Sequence, residues 1–199
     1  MARRRHRGCR ATRAARTEGA ARRPGPRDAC PPRRQHRWHT SMNPSLTIAG
    51  FGRKLRAREI SALDITDRCL REIEAGNPRL NAFILVLAEA ARRDAVAADR
   101  ELAAGRDRGP LHGVPVSIKD LFDLRGTPTT AASRVREGHV AEHDSPAVAR
   151  LREAGAVIIG KTNLHEFALG TTNEDSAFGA ARNPQDLSRS PGGSSGGSA

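Results

Sequence analysis

The chain changes character at residue 42, and that break sets how much of it can fold. Residues 1–41 hold 13 Arg and no Lys, opposed only by Glu18 and Asp28, with almost no large aliphatic side chain. Such a stretch cannot bury enough apolar surface to offset the entropy of ordering it, so it reads as a disordered extension. It carries +11 of the chain's net +12, which leaves residues 42–199 close to neutral at +1. The abruptness of the change makes Met42 read as the true start, with the upstream residues a mis-called extension.

The same split bears on partners. A nearly neutral body offers no basic face for phosphates, and its only aromatic type is Phe, so no platform for stacking bases is visible. Nucleic-acid binding by the body is therefore not expected, and a basic-tailed RNA-binding protein remains the alternative from outside the enzyme classes. Transit peptides are Arg-rich and acid-poor but also Ser-rich, and Ser41 is the one serine in this stretch. No apolar core follows the arginines, which argues against a secretory signal. Cys9 and Cys30 lie in the extension and Cys69 is alone in the body, so there is no disulfide framework and a reducing cytoplasm is expected. No run of about 18 apolar residues is present, so no membrane span is expected.

Residues 43–108 read as mainly helical. Ser61 with Asp64 resembles a capping box, after which Leu63, Ile65, Cys69, Leu70 and Ile73 recur at helical spacing. Gly76-Asn77-Pro78 is expected to stop that helix. The run Asn81 to Val86 is ambiguous between strand and helix, and Ala-rich residues 87–104 predict another helix ending at Gly105. Val114 to Ile118 then reads as a buried strand with Lys119 and Asp120 at its end. Asp144-Ser145-Pro146 starts a helix to Glu153, ended by Gly155. Ala156 to Ile159 is a second buried strand, and Leu164 to Leu169 a short helix. Strand, helix, strand predicts a βαβ-type unit in an α/β fold.

Gly155 to Thr162 matches the phosphate-loop pattern G-x-x-x-x-G-K-[ST], but the mechanism does not fit. Such a loop needs a strand before its first glycine and a flexible segment after it. Here a helix precedes Gly155 and the middle residues are themselves the strand. Lys161 is left as a structural or supporting residue.

Lysine is the scarce cation: Lys54, Lys119 and Lys161 are the only three, against 31 Arg. Arg stays charged and cannot act as a base, whereas burial can strip a lysine of its proton. Lys119 at a buried strand end is thus either a base or the partner of a structural ion pair, with Asp120 the nearest acid. Gly192-Gly193-Ser194-Ser195-Gly196-Gly197 is either a flexible linker or a backbone held where only glycine fits.

Taken in order, Gly109 to Asp120, Gly160 to Phe167, Ser176 to Gly179 with Arg182-Asn183-Pro184, and Ser190 to Ala199 resemble the amidase signature family over about residues 50–199. The resemblance implies the N-terminal part of that fold, a mixed central sheet flanked by helices and incomplete at the C-terminus. It implies a Ser–cis-Ser–Lys triad hydrolysing amide bonds, with Lys119 as general base and Ser194 as the bridging serine after a cis bond from Gly193. Gly193 and Ser195 would support the oxyanion and substrate loop. The nucleophilic serine is expected about two dozen residues past Ser194, beyond Ala199, so the chain as given is expected to be inactive. No metal or organic cofactor is implied. The expected partner is a small-molecule amide, with a homodimer possible, or partner subunits if this is the glutamine-hydrolysing component of a tRNA-dependent amidotransferase. Leu121-Phe122-Asp123 and Thr171 to Asp175 look more like a free-standing amidase. A non-catalytic remnant is the third class.

Overall fold

A computed structural model describes residues 47–199. The disorder expected of residues 1–41 lies outside the described residues. Three strands form one mixed sheet in the order β1-β3-β2. β1 spans Phe83–Val86, β2 Pro115–Lys119 and β3 Val157–Thr162. β2 runs parallel to β3 and β1 antiparallel to it. The parallel pair is joined through α4, Pro146–Glu153, which is the expected strand–helix–strand unit.

Every residue of β3 is buried, as a central strand covered on both faces requires. Val157 and Ile159 face a cluster with Ile65 of α2 (Ala62–Leu80) and Ala91, Ala95 and Ala98 of α3 (Ala88–Ala103). Ile158 faces the opposite cluster, with Ile118, Leu124 and Val148 of α4. The alternation is that of a strand, and each buried Val or Ile contributes about 1.5–3 kcal/mol. The three buried alanines lie at helical spacing, and their small side chains let α3 pack closely on the sheet.

The N-terminus of α2 is held twice. Ser61 Oγ accepts the Asp64 N–H at 2.9 Å while Asp64 Oδ2 accepts the Ser61 N–H at 3.3 Å, the capping box expected. Asp99 of α3 adds a second anchor, accepting the Ala62 N–H at 2.7 Å and the Leu63 N–H at 3.1 Å. An earlier helix, α1, spans Ile48–Arg56 and packs Leu55 into the same core.

Two expectations need correction. Pro78 does not stop α2 but lies inside its last turn. The Asn77 side chain donates to Phe83 O at 3.1 Å and accepts the Phe83 N–H at 2.8 Å, bracing the turn into β1. The helix ends instead at Asn81, which takes the left-handed conformation (φ 50°) and donates its N–H to Asn77 O. The short helix expected at Leu164 to Leu169 shrinks to a single 3₁₀ turn, Glu166–Ala168, with Phe167 and Ala168 at positive φ. The helix after Pro146 ends as expected, with Gly155 at φ 76°, and β3 occupies the middle of the phosphate-loop look-alike. No helix among the described residues is long and apolar enough to cross a membrane.

Candidate active site

The parallel register places Lys119 opposite Thr162, so the C-terminal ends of β2 and β3 lie side by side. The Asp120 N–H donates to Thr162 O at 3.0 Å and extends that pairing by one residue. The segment that returns to these strand ends is the Gly/Ser stretch, and Ser194 lies 75 residues after Lys119. Lys119 Nζ and Ser194 Oγ are hydrogen-bonded at 2.6 Å. The Gly193–Ser194 peptide bond is cis. Burial pushes the Lys119 amine below its ordinary pKa.

The Gly/Ser stretch is packed, which removes the linker reading. Ser194 O accepts the His165 N–H at 2.9 Å, and the Gly197 N–H donates to Asn163 O at 3.0 Å. A Cβ on Gly193 would lie 2.8 Å from the Thr171 carbonyl carbon. One on Gly197 would collide with Ala82 O and lie 2.7 Å from Asn163 N. Ser190 Oγ donates to Thr172 O and accepts the Gly192 N–H at 3.0 Å. Thr162 Oγ1 and Ser198 Oγ sit 3.1 Å apart, tying the last turn to β3. Ser195, expected to support the site, is exposed, and its carbonyl accepts the Ser198 N–H.

Asp120 is not the partner of Lys119. Its Oδ1 lies 2.6 Å from Lys161 Nζ, and both side chains are almost fully buried. Its other oxygen accepts the Thr130 N–H at 3.0 Å and the Thr130 hydroxyl. The structural ion pair weighed for Lys119 therefore exists, but it belongs to the buried Lys161.

Three further residues shape this corner and had no role assigned from sequence. Asn163 is fully buried and spends its side chain on Asn81 O, Gly179 O and the Leu164 N–H. His165 holds the loop above Ser194: its Nδ1 accepts the Asn173 N–H at 3.2 Å and its Nε2 lies 3.1 Å from Asp175 Oδ2. Asn173 itself is fully buried, and neither atom of its amide has a partner among the described residues. Position in the block directly after a buried strand is the one sequence signal that could have drawn attention to Asn163 and His165. Among the described residues no group of three or more His, Cys, Asp or Glu is placed to hold a metal ion.

A partly buried amine of lowered proton affinity, bonded to one serine hydroxyl at a strand end, has the geometry to exchange a proton with that hydroxyl. Known proteins resemble the chain in sequence and fold. A family model described as Amidase matches residues 64–199. A glutamyl-tRNA(Gln) amidotransferase component of Acidothermus cellulolyticus is 52% identical over 153 residues, 77% of this chain and 30% of that one. The same component of Anaeromyxobacter dehalogenans is 50% identical over 154 residues, with 77% and 31% covered. Among solved structures, the native peptide amidase of Stenotrophomonas maltophilia superposes with TM-score 0.71 at 39% identity, covering 77% of this chain and 33% of that one. A vestigial protein complex that reveals the evolutionary origins of an s-triazine catabolic enzyme matches with TM-score 0.74 at 38% identity, with 77% and 34% covered. The chain spans about a third of the length of the relatives it matches. These relatives do not confirm the preference for a free-standing amidase over an amidotransferase component. With the family model covering residues 64–199, most of the folded body, this chain belongs to the amidase family.

Proposed function

We propose that this chain supplies the base and the bridging serine of an amide carbon–nitrogen hydrolase. The observation that carries this reading is the 2.6 Å hydrogen bond between Lys119 Nζ and Ser194 Oγ. Neutral Lys119 accepts the Ser194 proton while Ser194 accepts one from the nucleophilic serine. The activated serine attacks the amide carbonyl, the amine leaves with a proton returned along the same path, and water releases the acyl group. Family resemblance puts that nucleophile past Ala199, so residues 1–199 alone are proposed to hydrolyse no amide. Gly193 and the exposed Ser195 flank the bridging serine as support for the substrate loop. The relay needs no cofactor, and with Cys69 as the lone cysteine of the described body a cytoplasmic site fits.

Two readings of the substrate follow. A small amide, hydrolysed by a free-standing amidase, is favoured by the segments after Lys119 and Gly170. Glutamine, hydrolysed within an amidotransferase, is favoured by relatives that are 49–52% identical and all share one amidotransferase identity.

The test is a chimera in which residues 47–199 replace the matching stretch of the Acidothermus amidotransferase component. Ammonia release is expected from the chimera and none from the 199-residue chain. A folded chimera without amide hydrolysis, or hydrolysis by the chain alone, would overturn the proposal. Assaying glutamine beside simple primary amides separates the two substrate readings.

A further inference from the structure

Two lysines, Lys119 partly buried and Lys161 fully buried, stand near the ends of neighbouring parallel strands, and their surroundings differ. An ammonium has three N–H donors. Lys161 Nζ meets three acceptors: Asp120 Oδ1 at 2.6 Å, Pro128 O at 2.7 Å and Thr129 Oγ1 at 2.8 Å. The site is saturated for a charged lysine. Asp120 is likewise arranged as a carboxylate, with its second oxygen taking both donors of Thr130. Lys119 Nζ has one hydrogen-bond partner among the described residues, the Ser194 hydroxyl. One lysine is built to stay protonated and the other to give its proton up.

We propose that Lys161 is a positioning residue for Lys119: as a fixed cation it neutralises Asp120, the carboxylate next to Lys119 in the chain, and leaves Lys119 free to act on Ser194. This rests on the reading of Lys119 as the base. An unpaired buried carboxylate on the residue next to Lys119 would favour the protonated form of Lys119, since charges in a protein interior act over several ångströms with little screening. Pairing inside the strand ends removes that field. The groups that face this corner act on the charge of Lys161 in both directions. Asp123, from the loop after β2, adds to the charge on Lys161, and Arg136, from the same loop, opposes it. Burial draws Lys161 down from its ordinary pKa and contact with Asp120 works against that. From the β3 side His165 reaches Ser194 through its backbone N–H, while its ring is turned to Asn173 and Asp175.

The scarcity of lysine makes the test direct. The full chain carrying ¹³C,¹⁵N-lysine has three side chains to follow, Lys54, Lys119 and Lys161, assigned by substituting each with Arg. The side-chain carbon signal of Lys119 is titrated by NMR in the parent, in Lys161→Arg, in Lys161→Met and Lys161→Gln, and in Asp120→Asn combined with Lys161→Gln. The parent Lys119 should titrate below an ordinary lysine. Lys161→Met or Lys161→Gln should raise its midpoint, so that the neutral fraction at a given pH falls about tenfold or more. The Gln variant retains amide donors for Pro128 O and Thr129 Oγ1, so it reads the same outcome if the Met variant does not fold. Lys161→Arg should match the parent, and the double variant, which removes both charges, should return to it. A merely structural role would not be reversed by deleting the second charge. An unchanged Lys119 midpoint in the singly neutralised variants, or the same rise in the double variant, would overturn the inference. A parent Lys119 that titrates as an ordinary lysine would instead overturn the reading of Lys119 as base, and the two failures are distinguishable.

Discussion

Replacing Gly197 by Ala tests whether the Gly/Ser stretch is part of the folded body. The added methyl would collide with Ala82 O and lie 2.7 Å from Asn163 N and 2.8 Å from Asn163 O. All three are backbone atoms, so no side-chain rotation relieves the clash. They are also bonded to one another through the segment: the Asn163 N–H donates to Ala82 O at 2.8 Å and the Gly197 N–H to Asn163 O at 3.0 Å. Moving the loop outward sacrifices the Gly197 bond, and yielding at Asn163 and Ala82 instead sacrifices the other. Overpacking costs about 1–3 kcal/mol and each bond about 1 kcal/mol, and since strain is relieved as bonds break, a total of about 3 kcal/mol is expected. For a body of this size that corresponds to a fall in Tm of about 6–12 °C. Thermal unfolding followed by circular dichroism reads it, with Gly138→Ala as control, because a Cβ there meets nothing within 4 Å. The control should stay within about 0.5 kcal/mol of the parent. Gly197→Ala unfolding at the parent temperature would refute the packed-loop reasoning and restore the linker reading.

Three further outcomes are expected. Asp99→Ala should destabilise by about 1.5–3 kcal/mol in urea unfolding, because a carboxylate that accepts the Ala62 and Leu63 N–H groups is lost. Ser61→Ala removes a neutral cap and should cost only about 1 kcal/mol in the same assay. Stability should also fall on acidification in two stages. His112 is buried, its Nδ1 accepts the Arg108 N–H at 3.1 Å, and burial holds its pKa below the ordinary 6.5. The unfolded chain therefore takes up that proton first, so stability is full above about pH 6.5 and declines below it. Glu101 and Asp107 are held below their ordinary values of 4.5 and 3.8 by hydrogen bonds from Arg108 and Arg56, so their contribution is lost at lower pH still. Unfolding midpoints measured across pH should show the first stage disappear in His112→Gln, and a first stage that persists would remove His112 as its source.

Local structure was legible where one short segment carries its own cause. Ser61 with Asp64 announced the start of α2, Pro146 the start of α4 and Gly155 its end, because caps and positive-φ turns are decided within a few residues. Pro78 does not mark the end of α2, which is set three residues on by Asn81 in the left-handed conformation. The site shows the same limit at longer range. Lys119 and Ser194 were found through the order of the family blocks. The partner of Asp120 was not, because Lys161 reaches it only through the parallel register of β2 and β3. Lysine scarcity flagged both lysines equally, and the number of acceptors around each Nζ is what separates cation from base. Asn163 and His165 act through backbone groups distant in sequence, and their place directly after a buried strand is the only mark that role leaves.

The central claim is that Lys119 is the base acting through Ser194, and ammonia release by the chimera with its Lys119→Arg and Ser194→Ala variants tests it most directly. Arg preserves positive charge and length but cannot surrender its proton. Either change is predicted to lower kcat by at least about 10²–10⁴-fold, with folding of the chimera intact by circular dichroism. A Lys119→Arg chimera that hydrolyses amide at close to the unsubstituted rate would contradict it.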